Sequence, residues 1–91
     1  MITRKVIFEG RVQGVGFRYT ARLIATGFDI CGWVRNLPDG TVELQLQGER
    51  EEVEDYLKEI TEESSLAHHI KHHTVTTIPP LEDARGFQIL G

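Results

Sequence analysis

Residues 4–28 read RKVIFEGRVQGVGFRYTARLIATGF, and a change of hydrophobic period inside this stretch decides the fold. From Arg4 to Val12, the residues Val6, Phe8, Gly10 and Val12 share one parity, while Lys5, Glu9 and Arg11 share the other with Ile7. That pattern predicts a strand with one buried face. Gln13-Gly14-Val15-Gly16 interrupts the alternation, and from Phe17 onward Ala21, Ile24, Ala25 and Phe28 recur at helical spacing. A helix closed by Gly27 follows.

Cys31 to Leu37 is rich in strand formers around Trp33 and Val34, and Pro38-Asp39-Gly40 has the chemistry of a hairpin turn. Thr41 to Gln47 then alternates, with Val42, Leu44 and Leu46 inward and Thr41, Glu43, Gln45 and Gln47 outward. Val53, Tyr56, Leu57 and Ile60 mark a second amphipathic helix, whose early Glu51 and Glu52 suit the positive end of its dipole and which ends near Ser64-Ser65. Ala67 to Ile78 is β-branched and predicts a strand. Ile70 and Val75 differ in parity there, so a bulge or bend is expected between them. Phe87 to Leu90 is a short last strand after the Pro79-Pro80 loop.

The order β-α-β-β-α-β with a short tail strand predicts an α+β domain over residues 1–91, a ferredoxin-like α/β sandwich with two helices on one face of an antiparallel sheet. Right-handed crossover makes the first two strands parallel with the third between them. Their C-terminal ends then share one rim with the glycine loop and Arg35-Asn36, where a site is expected.

Charge narrows the function. Residues 49–63 carry eight carboxylates against Arg50 and Lys58, whereas residues 1–48 hold six bases and four acids. A polyanion partner needs a basic footprint that this chain lacks, so no nucleic acid is expected. A single small anion needs only one or two cations and aimed backbone donors. Cys31 is the sole cysteine, and no charged-then-apolar leader or membrane span is seen. A cytoplasmic protein is expected, with no membrane partner.

Gln13, Gly14, Val15, Gly16, Phe17 and Arg18 join a strand to a helix through glycines that permit positive φ. Such a turn can aim several N–H groups at one point beside the helix dipole, and Arg18 adds a planar guanidinium able to hold two phosphate oxygens. The favoured ligand is a phosphoryl group. The same glycines would equally serve a plain tight turn, with Arg18 a solvated first-turn residue. The loop has neither the Lys-Ser/Thr ending of a nucleotide P-loop nor the third glycine of a dinucleotide site. Asn36 precedes the hairpin turn, where its amide could orient a water against an anion or simply bond to backbone.

Gly10 to Tyr19, followed by Gly32-Trp33-Val34-Arg35-Asn36 and Asp39-Gly40-Thr41-Val42-Glu43, strongly resembles the acylphosphatase family, small enzymes that hydrolyse carboxyl-phosphate bonds. The likeness spans essentially the whole chain and keeps the family's 18-residue step from arginine to asparagine. It implies that Arg18 is the phosphate-binding arginine and Asn36 the water-positioning asparagine. It also implies that the backbone of Val15, Gly16, Phe17 and Arg18 is the phosphate cradle. The expected enzyme is a monomer that needs no metal or other cofactor, takes a small-molecule acyl phosphate and releases inorganic phosphate. Two alternatives are a carbamoyl-phosphate-binding module, as in hydrogenase-maturation carbamoyltransferases, and a non-enzymatic ferredoxin-like binding domain.

His68, His69, His72 and His73 invite a metal reading, but a regular strand would turn them to opposite sides in pairs, so solvated edge-strand histidines are expected. Cys31 is expected to be a small buried residue, Trp33 and Phe87 packing residues, and the acidic stripe of the second helix a solvated face.

Overall fold

The structure is a computed structural model that describes residues 1–91. Its elements are β1 (Ile2–Gly10), α1 (Phe17–Ala25), β2 (Ile30–Asn36), β3 (Val42–Gly48), α2 (Arg50–Lys58), β4 (Ile70–Thr77) and β5 (Phe87–Leu90). The strands form one sheet in the order β4-β1-β3-β2-β5. As the crossover argument requires, β3 lies between β1 and β2 and runs antiparallel to both. The fold is the ferredoxin-like α+β arrangement.

The sheet is mixed, and the expectation of a wholly antiparallel one is corrected at its outer pair, where β5 runs parallel to β2. The reason is where β4 stops. It runs antiparallel to β1 and ends with Thr77 beside Arg4, at the rim where β1 begins. The start of β2 shares that rim. A chain that crosses the rim and then pairs with β2 must run in the same direction as β2. The C-terminal end of β5 is thereby delivered to the opposite rim, with Leu90 beside Arg35.

Alternation and helical spacing meet in one core. Val6, Phe8, Val34, Val42, Leu44 and Leu46 from the sheet face Phe17, Ala21 and Ala25 of α1 and Val53 and Tyr56 of α2, all buried. Phe17, the first residue of α1, packs on Phe8 with ring centroids 5.0 Å apart. The first strand ends at Gly10 rather than Val12, yet Val12 remains fully buried and roots the loop in the core.

Four local expectations change. After α2 the chain makes a wider π-type turn over Glu59–Glu63, which keeps Ile60 buried. Ser65–His69 is a 3-10 turn that takes in Ala67, His68 and His69, the expected start of the strand: the Ser64 hydroxyl accepts the Leu66 N–H at 3.1 Å and Leu66 is buried beneath it. His68 and His69 therefore leave the strand altogether, while His73 packs near Phe8. The bulge lies where expected, with Lys71 as the extra residue opposite Glu9 and Gly10, so that Ile70 and Val75 can face the same way. Glu43, predicted outward, is buried: it faces away from the helices, but central β3 lets Arg35 Nε and Gln45 Nε2 bond to its carboxylate at 2.8 and 3.0 Å. Cys31 is half-buried rather than buried.

Tyr56 ties the helices together. It is fully buried, its rings pack on Phe28 and Phe87, and its hydroxyl donates to the Ala21 carbonyl at 2.8 Å. Burial pushes its phenol pKa well above the ordinary range. Because the folded-state value is raised, the stabilisation is complete below the unfolded phenol's pKa of about 10 and is lost as pH rises past it. Tyr56→Phe should lower stability near neutral pH by about 1 kcal/mol, or roughly 4–8 °C in melting temperature. Melting curves of the two proteins should converge as the pH is raised beyond about 10.

Candidate active site

Between the end of β1 and the start of α1 the chain must reverse within six residues, and two glycines allow it. Gly14 and Gly16 adopt φ of 79° and 76°, the left-handed region closed to most side chains. Added methyl groups at either would meet no atom within 4 Å, so both backbones face open space. Gly16 is the N-cap of α1 and offers no side-chain cap. The first helical bond runs from Thr20 N–H to Gly16 O at 3.0 Å. The N–H groups of Phe17, Arg18 and Tyr19 thus have no acceptor within the helix, and no acidic side chain stands in its first turn. This is a helix end prepared for an anion.

Gln13 is not part of that opening. Its Nε2 donates to the carbonyls of Leu37 and Thr41, both at 2.8 Å, and so braces the loop against the β2–β3 hairpin. The hairpin is itself tightened by Asp39, whose Oδ1 accepts from Thr41 N–H at 3.0 Å and from Thr41 Oγ1 at 2.6 Å. Those two bonds hold the Asp39 carboxyl below its ordinary pKa. The Val15 side chain packs partly buried against the core. Of the six residues expected to bind phosphate, Gly14, Gly16, Phe17 and Arg18 line the cleft and the side chains of Gln13 and Val15 serve its frame.

The cleft holds about 220 Å³ and brings Arg18 and Asn36 together with the glycine loop. Arg18 Nη1 donates to the Leu90 carbonyl at 3.1 Å, which leaves the rest of its guanidinium free. Asn36 ends β2, and its Oδ1 is buried without a hydrogen-bond partner. An orphaned buried carbonyl costs about 1–3 kcal/mol, so this atom is placed to accept from a water or ligand that enters the cleft. One cation, Arg18, and the uncapped N–H groups of the helix start share the cavity with the lone acceptor of Asn36. Such a site can hold a dianion and a water at once.

Four contributors were not foreseen from the sequence. Val12, Tyr19 and Ile89 line the cleft, and Leu90 steadies Arg18. The signal for β5 was available in principle, since a tail strand parallel to β2 must end at the same rim. The histidines lie apart from this cavity, and no three His, Cys, Asp or Glu side chains are gathered as a metal-ligand set anywhere in the structure. Trp33 lies outside it too, with the Arg35 guanidinium 5.1 Å from its ring.

The family model described as acylphosphatase matches residues 4–89. A protein of Bacillus pumilus named acylphosphatase is 38% identical over 91 residues, covering all of both chains. One of Lactobacillus gasseri with the same name is 39% identical over 89 residues, covering 98% of this chain and 96% of that protein. The crystal structure of acylphosphatase from Bacillus subtilis superimposes with a TM-score of 0.89 at 32% identity over the full length of both chains.

The bracing role of Gln13 is measurable. Gln13→Ala should remove about 1–3 kcal/mol of stability, read as a lower urea midpoint at unchanged slope. Amide exchange should accelerate first at the loop 11–16 and the hairpin turn.

Proposed function

That the chain belongs to the acylphosphatase family is the premise from which we propose the roles of its residues. The enzyme hydrolyses the carboxyl-phosphate bond of a small acyl phosphate, giving a carboxylate and inorganic phosphate. In the proposed arrangement the phosphoryl oxygens rest on the N–H groups of the loop at Val15 to Arg18 and on the free arm of the Arg18 guanidinium. Asn36 Oδ1 accepts a hydrogen bond from the attacking water and so aims an oxygen lone pair at phosphorus. The single observation that carries this reading is the unpartnered, buried Asn36 Oδ1 in the same cleft as Arg18 and the open helix end.

The chemistry suits so sparse a site. The water oxygen bonds to phosphorus as the bond from phosphorus to the carboxylate oxygen breaks, and the carboxylate leaves with the electron pair. A carboxylate is a good leaving group and needs no general acid. The water's proton passes to a phosphoryl oxygen. What remains for the protein is alignment and charge stabilisation, which fixed N–H dipoles and a planar guanidinium supply without reorganising. The positive charge comes from Arg18 and the α1 dipole, and this supports a reaction that proceeds without metal. A small-molecule substrate, a cytoplasmic setting and a monomeric form complete the reading. A net charge of −4 disfavours a nucleic-acid partner, and no helix is long and apolar enough to cross a membrane.

Phosphate release from benzoyl phosphate in the presence of a chelator tests the assignment, with inorganic phosphate expected to inhibit competitively. Arg18→Lys should lose most activity because an ammonium cannot reproduce the two-pronged contact. Asn36→Ala should reduce kcat by about 10²–10³. Near-native rates in either folded variant would show that the roles are misassigned.

A further inference from the structure

We infer that the outward stripe of α1, formed by Tyr19, Arg22, Leu23 and Thr26, seats the acyl half of the substrate and favours apolar acyl groups that carry a second negative charge. The inference rests on the reading that the cleft holds the phosphoryl end.

The core stripe of α1 uses Phe17, Ala21 and Ala25, with Ile24 and Phe28 partly buried beside them. Tyr19, Arg22, Leu23 and Thr26 repeat at the same helical spacing on the other side and form a contiguous row. Nothing in the fold covers it. Tyr19 is 67% exposed and Leu23 60%, so neither contributes much to the core, yet they stand one turn apart as a joined apolar surface. The Thr26 hydroxyl is spent on the Leu23 carbonyl at 2.7 Å.

The row is continuous with the reaction site. Tyr19 lines the catalytic cleft and also a groove of about 260 Å³ shared with Arg22, Leu23 and Thr26. Beyond them a hollow of about 430 Å³ again includes Arg22 and reaches Arg85. The ion pairs of the chain are Met1–Glu49, Arg35–Glu43 and Arg50–Glu54, so both arginines lack a carboxylate partner. An aromatic and aliphatic surface that ends in two uncompensated cations is complementary to an apolar body with an anionic tip. The reach also fits: six residues of helical rise from Gly16 to Arg22 span about 9 Å, which a benzoyl ring with a para carboxylate can bridge.

Three substrates read the proposal: acetyl phosphate, benzoyl phosphate and 4-carboxybenzoyl phosphate. Leu23→Ser should lower the ratio of kcat/KM for benzoyl over acetyl phosphate about 3–10-fold, chiefly through KM. Arg22→Gln should lower the ratio for 4-carboxybenzoyl over benzoyl phosphate about tenfold, and added salt should reduce that preference in the unmodified enzyme. Ratios that stay the same in both variants overturn the acyl seat while leaving the phosphate site intact. If the unmodified enzyme releases phosphate from none of the three, the parent reading falls and this one with it.

Discussion

The contact of Phe17 with Phe8 governs this molecule. Because the first residue of α1 is held in the core against Phe8, near the end of β1, the chain has to leave the strand, turn back and begin a helix within the span Arg11–Gly16. Gly14 and Gly16, both in the left-handed region, make the reversal in so few residues. The by-product is a helix start whose N–H groups no side chain caps. The uncapped helix end is a geometric result of packing, and Val12 below and Gln13 at the hairpin hold the geometry still.

Charge is arranged to suit. The helix nearest the cleft has no acidic residue in its nine positions, whereas α2 concentrates carboxylates on a face directed elsewhere. The overall negative charge is therefore compatible with a cleft lined by a single arginine and no carboxylate. Glu43, the carboxylate nearest in sequence to the site that is buried, is neutralised by Arg35 on the uncovered side of the sheet. The uncovered face is knitted by side chains: Thr3 Oγ1 donates to Gln47 Oε1 at 2.8 Å, and Leu81 N–H to the same oxygen at 2.8 Å.

Periodicity made most of the fold legible. The two strands of the hairpin, both helices and the central position of β3 follow from alternation, helical spacing and crossover handedness. The misread segment was Ala67–His69, where β-branched residues downstream suggested a strand and a single serine cap with a buried leucine imposed a turn. Glu43 was misread because alternation distinguishes two faces but does not say how crowded the second one is. At the site, residue types indicated Arg18 and Asn36 as partners across one rim, and the cleft contains both. Gln13 was assigned to the ligand because a side chain's choice between a ligand and a hairpin carbonyl depends on tertiary distance. Leu90 was invisible because a backbone carbonyl acts without regard to side-chain identity.

The bond from Arg18 to Leu90 joins residues 72 positions apart, and its acceptor belongs to a four-residue strand at the sheet's edge. Short edge strands are the first elements to detach when a domain is mildly destabilised. Detachment would release the guanidinium while the glycine turn and the core stayed in place. Warming or dilute denaturant should therefore silence the enzyme while its circular dichroism is still that of the native protein.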